Sequence, residues 1–365
     1  MGLGMSLGHF NTTQINLLVN TIQTLIDNFK TRVANDGGTF EAESNLLSIL
    51  NSVNSSIGLS KVNMLLTPNA FKSGKAYNVI GSTDFAVLRN TDATRVNASN
   101  FIEVQGSNIM RIDYRSGTPM ILDEIQSTNI SNYSEDFTQG IWVKANSSVL
   151  ANATSSPRGL LEATKILENT NSANHRILKN SITISPGVNY KLSFFAKKAE
   201  RENILLGLFT GTSFYIVNFN LNTGLIKDNF LSGSTITAGA SEISSIAING
   251  FFKCSISFII TSETRISILA DVAKDDTTVT GYAGDTTKGI FIWGASLKTD
   301  DSSYVPTLAA AVTRNEDVLT VSPPAGTVKI TTTFLDDTTE ILTSIPATFT
   351  LPTGSIKHVV MQKTL

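Results

Sequence analysis

The sequence contains a single cysteine in 365 residues, Cys254, so no disulfide can form within the chain. Cys254 lies in the run Phe252–Ile260, where apolar and polar residues alternate. We interpret it as a small apolar residue on the buried face of a strand. A fold without disulfides suits assembly in a reducing cytoplasm.

Charged residues are also scarce, at 16% of the chain, and 28 Lys and Arg stand against 30 Asp and Glu for a net charge of -2. Binding to nucleic acid needs clustered basic residues that neutralise phosphates. The densest basic spot is Lys197-Lys198 with Arg201, which we interpret as a solvated turn at the end of a strand. The composition therefore predicts no nucleic-acid partner.

Long apolar runs are missing as well. No stretch of 18 apolar residues occurs, which predicts that no helix spans a membrane. The first residues lack a charged segment followed by an apolar one, so no secretory signal is predicted. We expect no membrane insertion.

Residues suited to catalysis are few. His9, His175 and His358 are far apart and share no metal-ligand spacing. Glycoside hydrolysis needs two facing carboxylates, whereas neighbouring residues on a strand point to opposite faces. Four adjacent acidic pairs therefore offer no ready catalytic pair, namely Asp123-Glu124, Glu135-Asp136, Asp275-Asp276 and Asp336-Asp337. We predict that the chain is not an enzyme.

The pattern that is present begins with a helix. Within the first 57 residues, Ile15, Leu18, Ile22, Leu25 and Phe29 recur at 3-4-3-4 spacing and form a heptad-like apolar stripe. The run Asn-Asp-Gly-Gly that follows predicts the end of this helix. We name these five residues as candidates for oligomerisation.

A second amphipathic segment follows, with apolar residues between Phe40 and Val53. Two interpretations stay open. The two helices form a hairpin that packs on itself or on the next domain, or they form a bundle between subunits that sets the oligomeric state. About two and a half heptads are too few for a stable isolated coiled coil, so a bundle would need support from the rest of the molecule.

From about Ser60 the apolar period changes to two. The clearest alternation lies in 131–307, for example in Tyr190–Lys197, Phe252–Ile260 and Ile266–Val272, each with one apolar and one polar face. This pattern is typical of an antiparallel sandwich, and about eight strands in this segment fit a jelly roll.

The predicted fold is mainly β: an antiparallel jelly-roll sandwich with an N-terminal helical hairpin and a small C-terminal β unit. The predicted domains are a helical anchor or oligomerisation segment, a β-rich connector, the jelly roll and the C-terminal β domain, at 1–59, 60–130, 131–307 and 308–365. The last is too short to bury much apolar area alone. We expect it to pack on the jelly roll or on a neighbouring subunit.

Six motifs in a fixed order carry the strongest functional signal. They are Asn90-Thr91-Asp92-Ala93-Thr94-Arg95-Val96-Asn97, Ile109-Met110-Arg111-Ile112-Asp113-Tyr114, Tyr133-Ser134-Glu135-Asp136-Phe137, Trp293-Gly294-Ala295, Ser303-Tyr304-Val305-Pro306-Thr307 and Ala311-Val312-Thr313-Arg314. Together they resemble a module of tail-fibre, head-fibre and other surface proteins of tailed bacteriophages, over roughly residues 60 to 320. In that family the third motif opens a jelly-roll domain similar to carbohydrate-binding modules.

The resemblance implies a non-enzymatic structural protein of the virion, a head or tail fibre or surface appendage, assembled in the bacterial host cytoplasm. It implies an N-terminal region that attaches to other virion proteins of the capsid or tail, and a jelly roll that is a candidate for binding surface polysaccharide. Fibres of this kind are usually trimers, so we expect a homotrimer. Two other interpretations stay open: a soluble carbohydrate-binding module or adhesin, which predicts a monomer, and a glycan depolymerase.

Four aromatic residues are candidates for stacking on a sugar: Trp142, Trp293, Tyr215 and Tyr282. Trp142 lies in the domain-opening motif, at Ile141-Trp142-Val143-Lys144, and Trp293 lies in an apolar strand, so a role as core anchor is the competing interpretation for both. Tyr215 and Tyr282 are less constrained, since Tyr282 lies in a loop between glycines.

The resemblance also suggests one metal site. A structural Ca²⁺ is common in similar jelly rolls, and Asp275, Asp276 and Asp285 could supply oxygen ligands, although their spacing matches no defined motif. No other metal and no cofactor is predicted.

Overall fold

The chain is mainly β, with two α-helices and 29 strands in the part that this computed structural model describes, residues 12–245, 249–274 and 280–364, with side chains from residue 21 onward. The helices are α1 (Thr12–Asn35) and α2 (Glu43–Ser56), and a short 3₁₀ helix follows at Leu59–Lys61. Helix α1 ends where the sequence predicted, because Gly37 adopts a left-handed φ of 69° and the amide of Gly38 donates to Val33 O at 2.8 Å.

The strands follow one another through the rest of the chain. The first fourteen are β1 (Thr39–Phe40), β2 (Val62–Lys72), β3 (Lys75–Ile80), β4 (Phe85–Leu88), β5 (Ala93–Val96), β6 (Ile102–Gln105), β7 (Arg111–Asp113), β8 (Met120–Asp123), β9 (Ser127–Asn129), β10 (Trp142–Ala145), β11 (Ser147–Ser155), β12 (Leu161–Glu168), β13 (Ser172–Ala173) and β14 (His175–Thr183). The others are β15 (Asn189–Lys198), β16 (Asn203–Phe209), β17 (Phe214–Asn220), β18 (Leu225–Ser232), β19 (Ile236–Ser245), β20 (Phe252–Ile260), β21 (Arg265–Ala273), β22 (Tyr282–Ala283), β23 (Gly289–Lys298), β24 (Val312–Arg314), β25 (Val318–Val321), β26 (Thr327–Phe334), β27 (Thr339–Leu342), β28 (Phe349–Thr350) and β29 (Gly354–Lys363).

Contacts divide the chain into two compact units. Unit 1 comprises 1–91, 106–124 and 316–365, and unit 2 comprises 92–105 and 125–315. This division differs from the domain boundaries expected from the sequence. The expected connector is shared between the units, and most of the expected C-terminal domain belongs to unit 1. The reason is long-range strand pairing, since β29 pairs with β2 and β25 pairs with β4.

Unit 1 is built on one antiparallel sheet of 11 strands, with the main order β27-β26-β29-β2-β3-β4-β25-β28. Successive residues of a strand point to opposite faces, so Leu65 joins the core under the helices while Leu66 joins the core on the other side of the sheet. Helices α1 and α2 contact each other and bury Phe29 and Leu50 in the first of these cores. The predicted helical hairpin is therefore confirmed.

Unit 2 is an antiparallel sandwich of two six-stranded sheets, with the orders β10-β14-β21-β16-β17-β18 and β11-β12-β23-β15-β20-β19. Its core combines inward residues of both sheets, such as Ile177 and Leu206 from the first and Phe194 and Cys254 from the second. Cys254 is fully buried, as predicted. The alternation of apolar and polar residues that predicted a sandwich is thus the alternation of its inner and outer faces.

Candidate functional site

The two tryptophans among the glycan candidates are core anchors. Trp142 is fully buried; its ring centroid lies 5.1 Å from that of Phe137, and its Nε1 donates to Tyr133 O at 3.0 Å. Trp293 is also fully buried, with its ring centroid 5.4 Å from that of Phe195 and 4.9 Å from that of Tyr304. Neither ring has a free face for a sugar, so the competing interpretation of both residues is confirmed.

The expectation that Tyr215 contacts a sugar is wrong. Its side chain is 2% exposed, and its hydroxyl lies 2.9 Å from Ser241 Oγ. Tyr215 alternates with Val217 and Phe219 on the inner face of β17, and all three belong to the sandwich core. This period-two alternation was visible in the sequence and would have placed Tyr215 inside.

Tyr282 lies in a cluster of buried polar side chains in unit 2 rather than in an open loop. Its hydroxyl donates to Glu168 Oε1 at 2.6 Å, its ring centroid lies 4.8 Å from that of His175, and the Arg201 guanidinium lies 5.4 Å from its ring. With both its hydroxyl and its ring engaged, Tyr282 does not present the free platform that the sequence analysis expected.

Glu168 is the centre of this cluster. Its carboxylate accepts two hydrogen bonds from Arg201, at 2.6 and 3.0 Å, and one from the Asp285 amide at 2.8 Å, besides that from Tyr282. Burial acts to raise the pKa of Glu168, but these bonds outweigh it and hold the pKa below its ordinary value. Arg201 is itself 6% exposed, so the interpretation of the basic spot at 197–201 as a fully solvated turn is wrong for this residue.

His175 completes the cluster. It is fully buried, with Nδ1 2.7 Å from Asn146 O and Nε2 3.1 Å from Tyr282 O. Both ring nitrogens therefore face carbonyl acceptors, and neither is left for a metal or a substrate. The carboxylate, guanidinium, hydroxyl and imidazole groups of this cluster all have protein partners. The cluster therefore links distant segments of unit 2 by buried hydrogen bonds.

Two of the four adjacent acidic pairs, Glu135-Asp136 and Asp336-Asp337, are likewise engaged by protein groups. Asp136 accepts from Thr138 and Gln139, whose bonds outweigh burial and lower its pKa, and Asp336 accepts from Thr338. Asp337 forms an ion pair with Lys357. Burial raises the pKa of Glu135, although its hydrogen bond from Tyr304 opposes the shift.

The calcium candidates do not form a site in the described residues. Asp275 and Asp276 lie outside the described part of the chain. Asp285 accepts hydrogen bonds from the Thr287 amide and hydroxyl, at 3.0 and 2.7 Å. No group of three or more His, Cys, Asp or Glu residues that could hold a metal ion occurs among residues 12–245, 249–274 and 280–364.

Arg111, from the second motif, belongs to a buried charged network in unit 1, which the sequence analysis missed. Asp317 Oδ1 accepts from Arg89 Nη1 at 2.7 Å, its Oδ2 accepts from Arg111, and Arg111 Nη1 also donates to Glu124 at 2.9 Å. Arg89 and Arg111 are 1% and 0% exposed. We call these four residues the charged network. The sequence signal for this network was Arg111 itself, an arginine among the mainly apolar residues of its motif.

Asp123 lies beside the charged network and has no partner. Both of its carboxylate oxygens are buried, and neither has a hydrogen-bond donor in the described structure. Burial first, and then the negative charge of Asp317, raise the pKa of Asp123 to about 8. The carboxyl group is therefore largely protonated at neutral pH.

The motifs of unit 2 meet in a network of hydroxyl groups formed by Ser134, Tyr304 and Thr307, with Glu135 Oε1 3.1 Å from the Tyr304 hydroxyl. Ser134 Oγ accepts from the Tyr304 hydroxyl at 2.7 Å and from the Thr307 amide at 2.8 Å, and Thr307 Oγ1 donates to Ser131 O at 2.6 Å. We call these three residues the hydroxyl network. The hydroxyl network joins the third motif, which contains Ser134, to the fifth, which contains Tyr304 and Thr307. Gly294, in the fourth motif, packs against the Phe195 ring. Its φ is 63°, and a Cβ at this position would lie 2.8 Å from that ring, so the position requires glycine.

The described part of the apolar stripe of α1 packs against other elements of the same chain. The side chains of Ile15 and Leu18 lie outside the described residues. Ile22 and Phe29 are each 2% exposed, and Leu25 packs partly buried against the same core. The assignment of Ile22 and Phe29 to an intersubunit surface is therefore wrong, since their apolar area is already covered by α2 and the sheet of unit 1.

Within the described residues, no helix combines the length and apolar character needed to cross a membrane. No protein-family model matches the chain, and no curated protein is significantly similar to it.

Proposed function

We propose that the chain is a non-enzymatic structural protein of a bacteriophage virion, a head or tail fibre or surface appendage. One observation carries the proposal: Arg111 of the charged network and all three residues of the hydroxyl network belong to motifs that resemble phage surface proteins, and their side chains are used in buried contacts of the fold. A structural protein displayed on a particle needs a stable fold, and these buried contacts stabilise one.

The engagement of the described carboxylates supports a non-enzymatic role. A depolymerase needs one carboxylate to donate a proton and another to attack or to activate water. Glu168 is instead fixed by four hydrogen bonds, and Asp123 is buried away from solvent. In this proposal the N-terminal region attaches to capsid or tail proteins, and the sandwich of unit 2 is displayed and contacts surface polysaccharide.

Immunogold electron microscopy of native phage particles, with antibody raised against residues 131–307, tests the proposal. We expect gold at the tail tip for a tail fibre, or at repeated positions over the head for a head fibre. Absence of gold from intact particles, with the same antibody detecting the purified chain, would contradict the proposal.

The oligomeric state separates a fibre from a soluble carbohydrate-binding module. Light scattering after size-exclusion chromatography is expected to give three times the chain mass of 39.2 kDa. A monomer would favour the soluble module. Release of reducing sugar from host polysaccharide, lost on replacing a single carboxylate, would instead establish a depolymerase.

A further inference from the structure

Five consecutive apolar residues lie exposed on unit 2: Leu308-Ala309-Ala310-Ala311-Val312. Leu308, at 78%, is more exposed than any other large apolar residue that the structure describes. We call these five residues the apolar run. Single exposed apolar residues are ordinary on protein surfaces, whereas a contiguous group of them marks a surface that contacts a partner.

The backbone of the apolar run is fixed while the Leu308 side chain projects into solvent. The Leu308 carbonyl accepts from the Tyr133 amide at 2.6 Å. The Ala309 carbonyl accepts from Asn132 Nδ2 at 3.0 Å, and Thr307, immediately before the run, belongs to the hydroxyl network. A side chain on a rigid backbone loses less conformational entropy on binding than one on a flexible loop. Leu308 is therefore suited to anchor an interface.

A groove of about 640 Å³ adjoins the apolar run in unit 2. Ala311 of the run lines it, together with Ile141 and Val143 at the start of the edge strand β10, which are 38% and 42% exposed. Among the described lining residues none is acidic or aromatic, and the lining surface is more apolar than polar. The run and the groove thus form one continuous, mainly apolar surface.

The one charge among the described lining residues is that of Lys179, and it is already bound within the chain. Lys179 is 6% exposed, its Nζ donates to Asn132 O at 2.8 Å and contacts Asn132 Oδ1, and it lies 5.4 Å from the centroid of the Trp142 ring. The described lining therefore has no exposed basic rim of the kind that draws apolar surfaces to lipid headgroups. It also offers no aromatic ring on which a sugar could stack. What the groove does fit is an uncharged apolar side chain.

We propose that the apolar run of one copy of the chain docks in the groove of a second copy, with Leu308 as its anchor. The chain itself carries both halves of this contact. Neither half presents an exposed charged side chain, so two copies meet there without like-charge repulsion. The run and the groove are different surfaces, so the contact is heterologous and repeats from copy to copy until a ring closes.

This inference rests on the proposed fibre, for which a homotrimer is expected, and it names the contact that joins the copies. The described part of the α1 stripe packs within its own chain, so a homo-oligomer needs another apolar surface. In a ring of three, each copy gives its run to one neighbour and its groove to the other. Each copy is then held by two contacts, which stabilises a ring more than one contact stabilises a dimer.

Light scattering after size-exclusion chromatography of the full chain tests the contact through Leu308→Asp. The substitution places a carboxylate where the groove is apolar, so the dissociation constant should rise at least about tenfold and a monomer should replace the trimer of the unaltered chain. Leu225→Asp is the matched control, because Leu225 is 63% exposed on β18, the opposite edge of the same sheet. This variant should remain a trimer.

A pair of introduced cysteines locates the contact. Cys254 is fully buried, so cysteines placed at the surface are the ones that oxidise. Leu308→Cys combined with Val143→Cys should give disulfide-linked dimers and trimers on a denaturing gel without reductant. Leu308→Cys combined with Leu225→Cys should give no linked trimer.

A trimer that survives Leu308→Asp as well as Leu225→Asp overturns this contact and leaves the virion proposal in place. The contact is equally overturned if Leu308→Cys with Val143→Cys forms no link between copies. A monomeric unaltered chain overturns it too, and immunogold labelling of particles then decides the virion proposal by itself. If gold is absent from particles while Leu308→Asp still converts a trimer to a monomer, the contact stands and the virion proposal fails.

Discussion

The two units bury polar side chains in chemically different ways. In unit 1 the charged network places Arg89 and Arg111 against Asp317 and Glu124, with the unpartnered Asp123 beside them. In unit 2 the hydroxyl network joins side chains that carry no formal charge. Both networks are buried, and both connect segments that are distant in sequence.

This difference teaches that two buried polar networks of one chain need not contribute equally to stability. Removing one partner of a buried ion pair leaves an uncompensated charge and costs about 3–5 kcal/mol. Removing one partner of a neutral buried hydrogen bond costs about 1–3 kcal/mol. Unit 1 should therefore be the more sensitive of the two to single substitutions, and also the more sensitive to pH.

The largest effect is expected for Asp317→Asn. The substitution removes the charge that compensates two buried guanidinium groups, so the free energy of unfolding should fall by about 3–5 kcal/mol. Urea denaturation followed by circular dichroism measures this. Asp337→Asn is the matched control, because the Asp337 side chain is 80% exposed and its loss should change little. If the two variants lowered the free energy of unfolding equally, the charged network would not be the reason for the greater sensitivity of unit 1.

The second prediction concerns Asp123→Asn and is dependent on pH. Because the folded pKa of about 8 exceeds the ordinary value of 3.8, the unfolded chain loses this proton first as pH rises. The free energy of unfolding should therefore fall from about pH 4 to about pH 8. Asp123→Asn removes this loss, so its stability advantage over the unaltered chain should be larger at pH 9 than at pH 5 by about 2–4 kcal/mol.

Thermal or urea unfolding of both proteins at pH 5 and pH 9 measures the effect of Asp123. At pH 5 the difference should be smaller, because the carboxyl group is then still protonated in the folded chain and only its ionisation in the unfolded chain, near pH 3.8, has begun to lower the stability. A stability difference that does not change between these pH values would show that Asp123 finds a partner in solution.

The third prediction tests the hydroxyl network. Tyr304→Phe removes the hydroxyl that lies 2.7 Å from Ser134 Oγ and 3.1 Å from Glu135 Oε1, and should lower the free energy of unfolding by about 1–2 kcal/mol. Ser134→Ala should cost a similar amount, and the double variant should cost less than the sum, because both changes break the same hydrogen bond. Strict additivity in this double-mutant cycle would contradict the network.

Much of the fold was predictable from local patterns. Period-two alternation in Phe252–Ile260 placed Cys254 inside the sandwich, and the 3-4 spacing with a Gly-Gly stop gave α1. The pairing of β29 with β2 was not predictable, because its registers join residues about 300 positions apart and local periodicity carries no information about distant partners. The extent of unit 1 was missed for that reason.

The candidate site was less predictable than the fold. Tyr282 lies between glycines, and its loop position suggested an open aromatic, but burial depends on Glu168 and Arg201, which lie far from it in sequence. Residue type indicates what a side chain can do, whereas its partners decide whether it does so.

The smallest effect is expected where charges meet in solvent. Lys191 Nζ of unit 2 lies 2.7 Å from both Glu242 and Asp301, whose side chains are 56% and 55% exposed. Glu242→Gln leaves Asp301 in place, and solvent screens the remaining pair, so the free energy of unfolding should fall by less than about 0.5 kcal/mol. The loss should shrink further at 1 M salt, where the Debye length is about 3 Å. If Glu242→Gln instead cost as much as Asp317→Asn in the same urea measurement, burial would not be the property that separates strong from weak charge pairs in this chain.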